Sequence, residues 1–189
     1  MNKTKRKIFE TSMKLFAEKG YDATSIEEIT SVVGVAKGTL YYHFSCKEEI
    51  FNFLVEEGMK LLKNSIEIKT ARHQNSVDKL RDVVLIQIKI LVKYENFITI
   101  LLSQIWGNEP RNQMCKKYVF EYVKTIEEII EEGIRKGEII DGNAEVIASG
   151  IFGLTCSSLI YRLKTTKQID IKELYTEFDK AIISGLSKK

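Results

Sequence analysis

A single proline, Pro110, stands in 189 residues, and it constrains the fold more than any other feature of the chain. Proline breaks helices because it lacks an amide hydrogen and collides with the preceding turn. A chain almost free of it, and rich in Ile, Leu, Lys and Glu, can run as long helices. Its apolar residues recur at three- and four-residue spacings along most of its length. No alternating pattern persists, so an all-α fold is predicted. An apolar content of 44% supports a sizeable core. The length fits one fair-sized domain, or a small one joined to a larger one.

Read in order, the pattern predicts a helix over residues 3–19 with Ile8, Leu15 and Phe16 on one stripe, stopped by Gly20. A second helix begins at Thr24 with Glu27 as capping-box partner, or in the alternative register at Ser25 with Glu28. Ile26, Ile29 and Val33 form its inward face. Gly34 supplies the positive φ of a sharp turn, Val35 plugs the core behind it, and a short third helix runs from about Ala36 to His43. Leu40 and Phe44, four apart, anchor that helix. Ser45 with Glu48 opens a long helix to about Thr70. After a polar loop at 71–77, helical patterns follow around Leu80 to Leu91, Phe97 to Ile105, 111–136 and 144–163. The last helix, about 170–186, shows Ile171, Leu174, Tyr175, Phe178 and Ile182 on one face.

Charge is unevenly placed. Residues 1–47 hold eight Lys/Arg against five Asp/Glu, an excess equal to the whole chain's net charge of +3. A basic end on a neutral body fits attraction to phosphate. The same end carries the two short helices around a tight turn, the plan by which a second helix enters the major groove while the first crosses the backbone. Lys37 can approach guanine edges or phosphate, and Thr39 can donate to phosphate. Gly38 costs about 1 kcal/mol inside a helix, so it needs a reason. Close approach to a base edge is one, and crowding by a neighbouring helix is the other. Tyr41, Tyr42 and His43 have polar tips that reach phosphates and ring faces that can touch thymine methyls. Because Leu40 and Phe44 fill the inward positions, at least one tyrosine is expected outside. Lys47 follows, placed to neutralise a phosphate. The basic head at Lys3, Lys5, Arg6 and Lys7 opposes its helix dipole; it is either a phosphate contact or a solvated terminus.

The string V-G-V-A-K-G-T-L-Y-Y-H-F-x-x-K-E-E-I, preceded by F-A-E-K-G-Y-D-A-T-S, resembles the DNA-binding domain of the tetracycline-repressor (TetR) family over about residues 5–52. The resemblance implies a DNA-binding domain at 1–47 and a helical ligand-binding and dimerisation domain of about six helices at 48–189. It implies a homodimeric transcription regulator, a repressor released by a small ligand, that binds an inverted-repeat operator in double-stranded DNA. A cytoplasmic protein is expected separately, because no apolar core follows the basic N-terminal residues and no run reaches bilayer length. Carried over by position, Thr24 would cap the second helix and contact phosphate. Lys37, Gly38 and Tyr41 would face bases, and Thr39, Tyr42, His43 and Lys47 would hold phosphates. Ala36 departs from the family's common serine and loses an N-cap.

By the same resemblance the last two long helices pair with their two-fold mates. Ser149, Gly153 and Ser157 independently form a small-residue strip at i, i+4 spacing, and Leu174, Phe178 and Ile182 lie on the broad terminal face. A ligand pocket among the middle helices would draw on Phe97, Leu101, Trp106, Tyr118 and Tyr122. With no lone charge on an apolar stripe there, an apolar or aromatic effector is favoured over a polyanion or a metal chelate.

Other chemistries find little to stand on. The two histidines, His43 and His73, lie in no metal or triad motif, so neither an enzyme nor a metal or other cofactor is indicated. Cys46, Cys115 and Cys156 form no CxxC pair. Cys46, close to a helix start and to Lys47, is a candidate redox thiol; an inert, partly buried one is preferred. The longest uncharged run, 146–161, falls short of the about 20 residues of a bilayer span and reads as a buried helix. A helical adaptor that binds protein instead of DNA is the alternative function.

Overall fold

A computed structural model describes residues 2–166 and 168–188. The described chain is helical: α1 Lys3–Lys19, α2 Ile26–Val33, α3 Lys37–His43, α4 Lys47–Thr70, α5 Ser76–Lys93, α6 Glu95–Gln104, α7 Pro110–Lys136, α8 Ala144–Thr165 and α9 Ile171–Phe178. The last continues through a π turn, Asp179–Ile183, into Ser184–Leu186. No strand occurs among the described residues, only an isolated bridge between Ile139 and Ser187. The all-α expectation holds, and Pro110 stands at the first position of α7, where its missing amide hydrogen costs no bond.

The chain packs as two compact units. The first contains the described residues through Met59 together with 94–116. Here α1 packs on α2, α3 and α6. Ile8, Ile29, Leu40, Phe44, Ile50 and Phe51 form its core, each essentially without solvent exposure. Rings lock the elements: Phe16 to Tyr21 at 5.3 Å, Tyr21 to Phe51 at 5.1 Å, Phe44 to Phe53 at 5.8 Å. Phe97 and Leu101, on α6, are buried in this core. Phe97 seats on α4 so closely that a Cβ at Gly58 would lie 2.4 Å from its ring. Both expected pocket residues are therefore packing residues of this unit, with their faces covered by protein. Trp106 is 86% exposed and lines no interior space.

Of the two registers expected for α2 the structure takes the second, and the start of α4 differs from expectation by one residue. Ser25, not Thr24, caps α2, its hydroxyl accepting from the Glu28 amide at 3.1 Å. Thr24 turns inward, 1% exposed, and donates its hydroxyl to the Gly20 carbonyl at 2.8 Å. At α4 the carboxylate that reaches back to the Ser45 amide is Glu49, at 2.6 Å, one residue later than the expected Glu48.

The second unit contains 60–93 and 117–188 of the described residues. In it α5 packs on α8 and α9. Arg81 ties the last helix down, bonded to Asp78 at 2.8 Å and Asp179 at 2.9 Å. Lys136 and Lys79 both donate to Glu132 and pull its carboxyl down to about 2. Tyr122 is buried and donates to Gln87 Oε1 at 2.8 Å, while the Gln87 amide faces the Phe152 carbonyl and the Cys156 sulfur. A cleft of about 510 Å³, lined by Ile66, His73, Lys79, Glu128, Ile129 and Glu132 among others, includes none of the five expected pocket residues. Tyr118 is half-buried.

Leu174 and Phe178 are 3% and 8% exposed, covered by their own chain, so they are not available to a second copy; Ile182 is half-buried. The run at 146–161, expected from its apolarity to be a buried helix, is buried on one face only. Helix α8 buries Ala148, Ile151, Thr155, Cys156 and Leu159 and exposes Val146, Ser149, Gly153, Leu154, Ser157, Ile160 and Tyr161. By length and composition alone it could cross a membrane.

The cysteines separate by burial. Desolvation pushes Cys115 up to about 11 and Cys156 up to about 12, so both remain thiols at neutral pH. Cys46 is exposed, which corrects the partly buried placement. A thiol reagent at pH 7.5 should therefore label one site per native chain, at Cys46, and three in denaturant. Mass spectrometry counts them, and fast native labelling of Cys115 or Cys156 would contradict the burial argument.

Candidate nucleic-acid interface

The turn between α2 and α3 rests on Gly34, whose φ of 76° and ψ of 40° place it in the left-handed region that a Cβ disfavours. Its amide donates to the Thr30 carbonyl at 2.9 Å, and Val35 follows at 3.1 Å to the same oxygen. Lys7 donates from α1 to the Val33 carbonyl at 2.8 Å, placing positive charge at the negative end of α2. These contacts fix α3 against α2. Leu40 and Phe44 then turn one face of α3 inward, both essentially unexposed.

The remaining face is open. Tyr41 is 47% exposed and Tyr42 83% exposed, with His43 edge-on to the Tyr42 ring at 5.0 Å. Gly38 has nothing within 4 Å of where a Cβ would project. That removes crowding by a neighbouring helix as the reason for glycine and leaves close approach from outside. Ala36 precedes α3 with no side-chain cap, as its sequence implied. Thr39 is half-buried. Lys37 points outward but is not idle: its ammonium pairs with Glu27 on α2, which lowers the Glu27 carboxyl below its usual range and raises Lys37 above its own.

Two of the expected phosphate holders are engaged inside the fold. Lys47 is half-buried, and its ammonium donates to the Tyr21 and Thr24 carbonyls, each at 2.8 Å, and to Asp22 at 3.4 Å. It braces the α1–α2 turn instead of projecting towards solvent. Thr24, bonded to Gly20, offers no hydroxyl to a phosphate. Much of the basic head is engaged too: Lys5 lies 4.7 Å over Phe44, Arg6 pairs with Glu10 at 2.8 Å, and Lys7 caps α2. A lysine's stem is long enough that sequence shows only that it is cationic, never where its tip settles. What α3 presents is thus a compact surface of Lys37, Gly38, Tyr41, Tyr42 and His43, cationic at one end and aromatic at the other. A surface of this kind can donate to phosphates and base edges and stack on or abut bases.

Residues 8–54 match the family model of bacterial regulatory proteins of the tetR family, and residues 73–159 match the tetracyclin repressor-like C-terminal domain. A solved Clostridium perfringens structure, assigned as a fatty acid metabolism regulator, is similar with a TM-score of 0.88 and 32% identity, covering 97% of this chain and all of that one. The transcriptional regulator FadR of Bacillus subtilis, solved in complex with stearoyl-CoA, is similar with a TM-score of 0.80 and 23% identity, covering 96% of this chain and 98% of that one. The uncharacterized HTH-type regulator YerO of Bacillus subtilis is 29% identical over 160 residues, 80% of this chain. The chain spans 54% of that relative's length.

Proposed function

The chain belongs to the TetR family of DNA-binding transcription regulators, and on that premise we propose that it is a homodimeric repressor of an inverted-repeat operator, released by a fatty acyl-CoA. The observation that carries the DNA reading is the solvent-facing surface of α3, with Lys37, Gly38, Tyr41 and Tyr42 on it and open space around Gly38. Phosphate contacts fall to Tyr42, His43 and Thr39, and base contacts to Lys37, Gly38 and Tyr41. One short helix reads too few bases for useful specificity, so a second copy is required.

The exposed face of α8 supports such a pair: small Ser149, Gly153 and Ser157 let helices approach, and Val146, Leu154, Ile160 and Tyr161 supply apolar area around them. An uncovered apolar stripe of this length on a soluble chain marks an interface. The acyl-CoA follows from what the relatives are: one is a fatty acid metabolism regulator and another was solved with stearoyl-CoA. The acyl chain agrees with the apolar effector that the sequence favours, whereas the phosphates of CoA are a polyanion that the sequence does not lead one to expect. No catalytic role is assigned, and a DNA-binding regulator of this kind works in the cytoplasm.

The test is a titration of the duplex spanning the region upstream of the protein's own gene, against a scrambled duplex, at two salt concentrations. A regulator binds the upstream duplex more tightly, and its log affinity falls with log salt at about 0.9 per phosphate neutralised. Stearoyl-CoA should weaken that binding at least tenfold. Weak, flat and sequence-blind binding would favour the helical adaptor instead, and operator binding indifferent to stearoyl-CoA would remove the acyl-CoA from the proposal.

A further inference from the structure

Arg111 stands in the first turn of α7, almost ninety residues from the α1–α2 turn in sequence, yet its guanidinium lies on that turn. Its Nη2 donates to Asp22 Oδ2 at 2.8 Å and its Nε to Gln104 Oε1 at 3.0 Å. Its central carbon is 4.6 Å from the centre of the Tyr21 ring. A second cation, the Lys47 ammonium, sits 4.3 Å from the same ring while donating to the Tyr21, Asp22 and Thr24 carbonyls. The ring also packs on Phe16 and Phe51.

Arg111 is itself held. Asn112 donates to the Gln104 carbonyl at 2.8 Å and to its Oε1 at 3.0 Å, and accepts from the Glu109 amide at 2.9 Å. Lys116 donates to the Gly107 carbonyl at 2.8 Å. The Arg111 side chain is 19% exposed. A planar guanidinium can lie against a ring while directing hydrogen bonds from a rigid in-plane fork, a fixed geometry that an ammonium lacks. The turn it grips is the one from which α2 starts, and α3 is docked on α2 through Gly34.

We propose that Arg111 is a positioning residue for operator reading: it fixes the α1–α2 turn through Tyr21 and Asp22, and with it the α2–α3 pair, without touching DNA. This rests on the DNA-binding reading above. The helix-turn-helix is then completed by a residue from the α6–α7 segment, outside the residues 8–54 that the family's DNA-binding model covers.

The experiment compares full-length wild type with Arg111→Gln, Arg111→Lys and Asp22→Asn on the upstream and scrambled duplexes at two salt concentrations, with circular dichroism to set the folded fraction. Both Arg111 variants should lose about 5- to 20-fold in affinity for the upstream duplex, with scrambled-duplex binding and the salt slope unchanged. Asp22→Asn should reproduce part of that loss, and the Arg111→Gln/Asp22→Asn double variant should lose less than the product of the two. Asp22 is largely exposed, so its variant keeps the test open if Arg111→Gln folds poorly. Unchanged upstream affinity overturns the proposal. So does a smaller salt slope in Arg111→Gln that Arg111→Lys restores, the mark of a direct phosphate contact. A loss that strikes both duplexes equally and follows the folded fraction overturns it as well. Wild type that prefers neither duplex is a separate result, and overturns the DNA-binding reading along with the proposal.

Discussion

Lys37→Ala is expected to weaken operator binding by roughly 10- to 100-fold per half-site, and so by about 10²- to 10⁴-fold for a dimer that uses both. In the free protein the Lys37 ammonium pairs with Glu27. Truncating it removes a donor from the open end of α3 and leaves the Glu27 carboxylate unneutralised where phosphates would approach. Both effects act against DNA in the same direction. Stability should barely move, because an exposed ion pair contributes little to folding. Fluorescence anisotropy on the upstream and scrambled duplexes reads the result, with thermal unfolding as the control. A loss confined to the upstream duplex assigns Lys37 to base edges. An equal loss on both, with a salt slope smaller by about 1 per protomer, assigns it to phosphate alone. Affinity unchanged on both would remove Lys37 from the interface.

Phe97→Ala is expected to destabilise the first unit by about 3–5 kcal/mol, the usual cost of emptying a buried aromatic site. For a chain of this size the thermal midpoint should fall by roughly 6–20 °C. Phe97 is 5% exposed and wedged onto Gly58. The reciprocal change, Gly58→Ala, places a methyl against that ring and should be destabilising alone but less so beside Phe97→Ala, where space has been vacated. Had Phe97 lined an effector pocket, its truncation would alter ligand release and spare the melting point. Differential scanning calorimetry of the two single variants and the double decides between these roles.

Much of the first unit could be read in the residues. Gly20 and Gly34 announced the helix ends, Leu40 and Phe44 the inward face of α3, and Ala36 the missing cap. Each of these depends on neighbours within four residues, and such local steric and hydrogen-bonding rules are written in the sequence. The cap of α2 shows the margin: Thr24 and Ser25 satisfy the same local pattern, and the choice fell to Ser25 because Thr24 found the Gly20 carbonyl. The side chains of the scaffold were less legible. Periodicity marked Phe97, Leu101, Leu174 and Phe178 as apolar and on one face of a helix. It could not say whether that face meets a ligand, a second copy or the chain's own core, and in this structure the core takes all four. Trp106 carried the opposite error, an aromatic left in solvent by a turn that Asn112 and Lys116 hold.

The sequence by itself determined the helices, their faces, the turn at Gly34 and the family. These follow from backbone sterics and from the three- and four-residue spacing of apolar side chains, which act over one or two turns. Only the tertiary structure decided where the long cations end. Lys7 closes α2, Lys47 braces the α1–α2 turn, Lys37 pairs across to Glu27, and Arg111 reaches Tyr21 from a distant helix. A lysine or arginine tip lies several ångströms from its Cα on a flexible stem, and its partner is chosen by whichever carbonyl, carboxylate or ring the packed chain brings within reach.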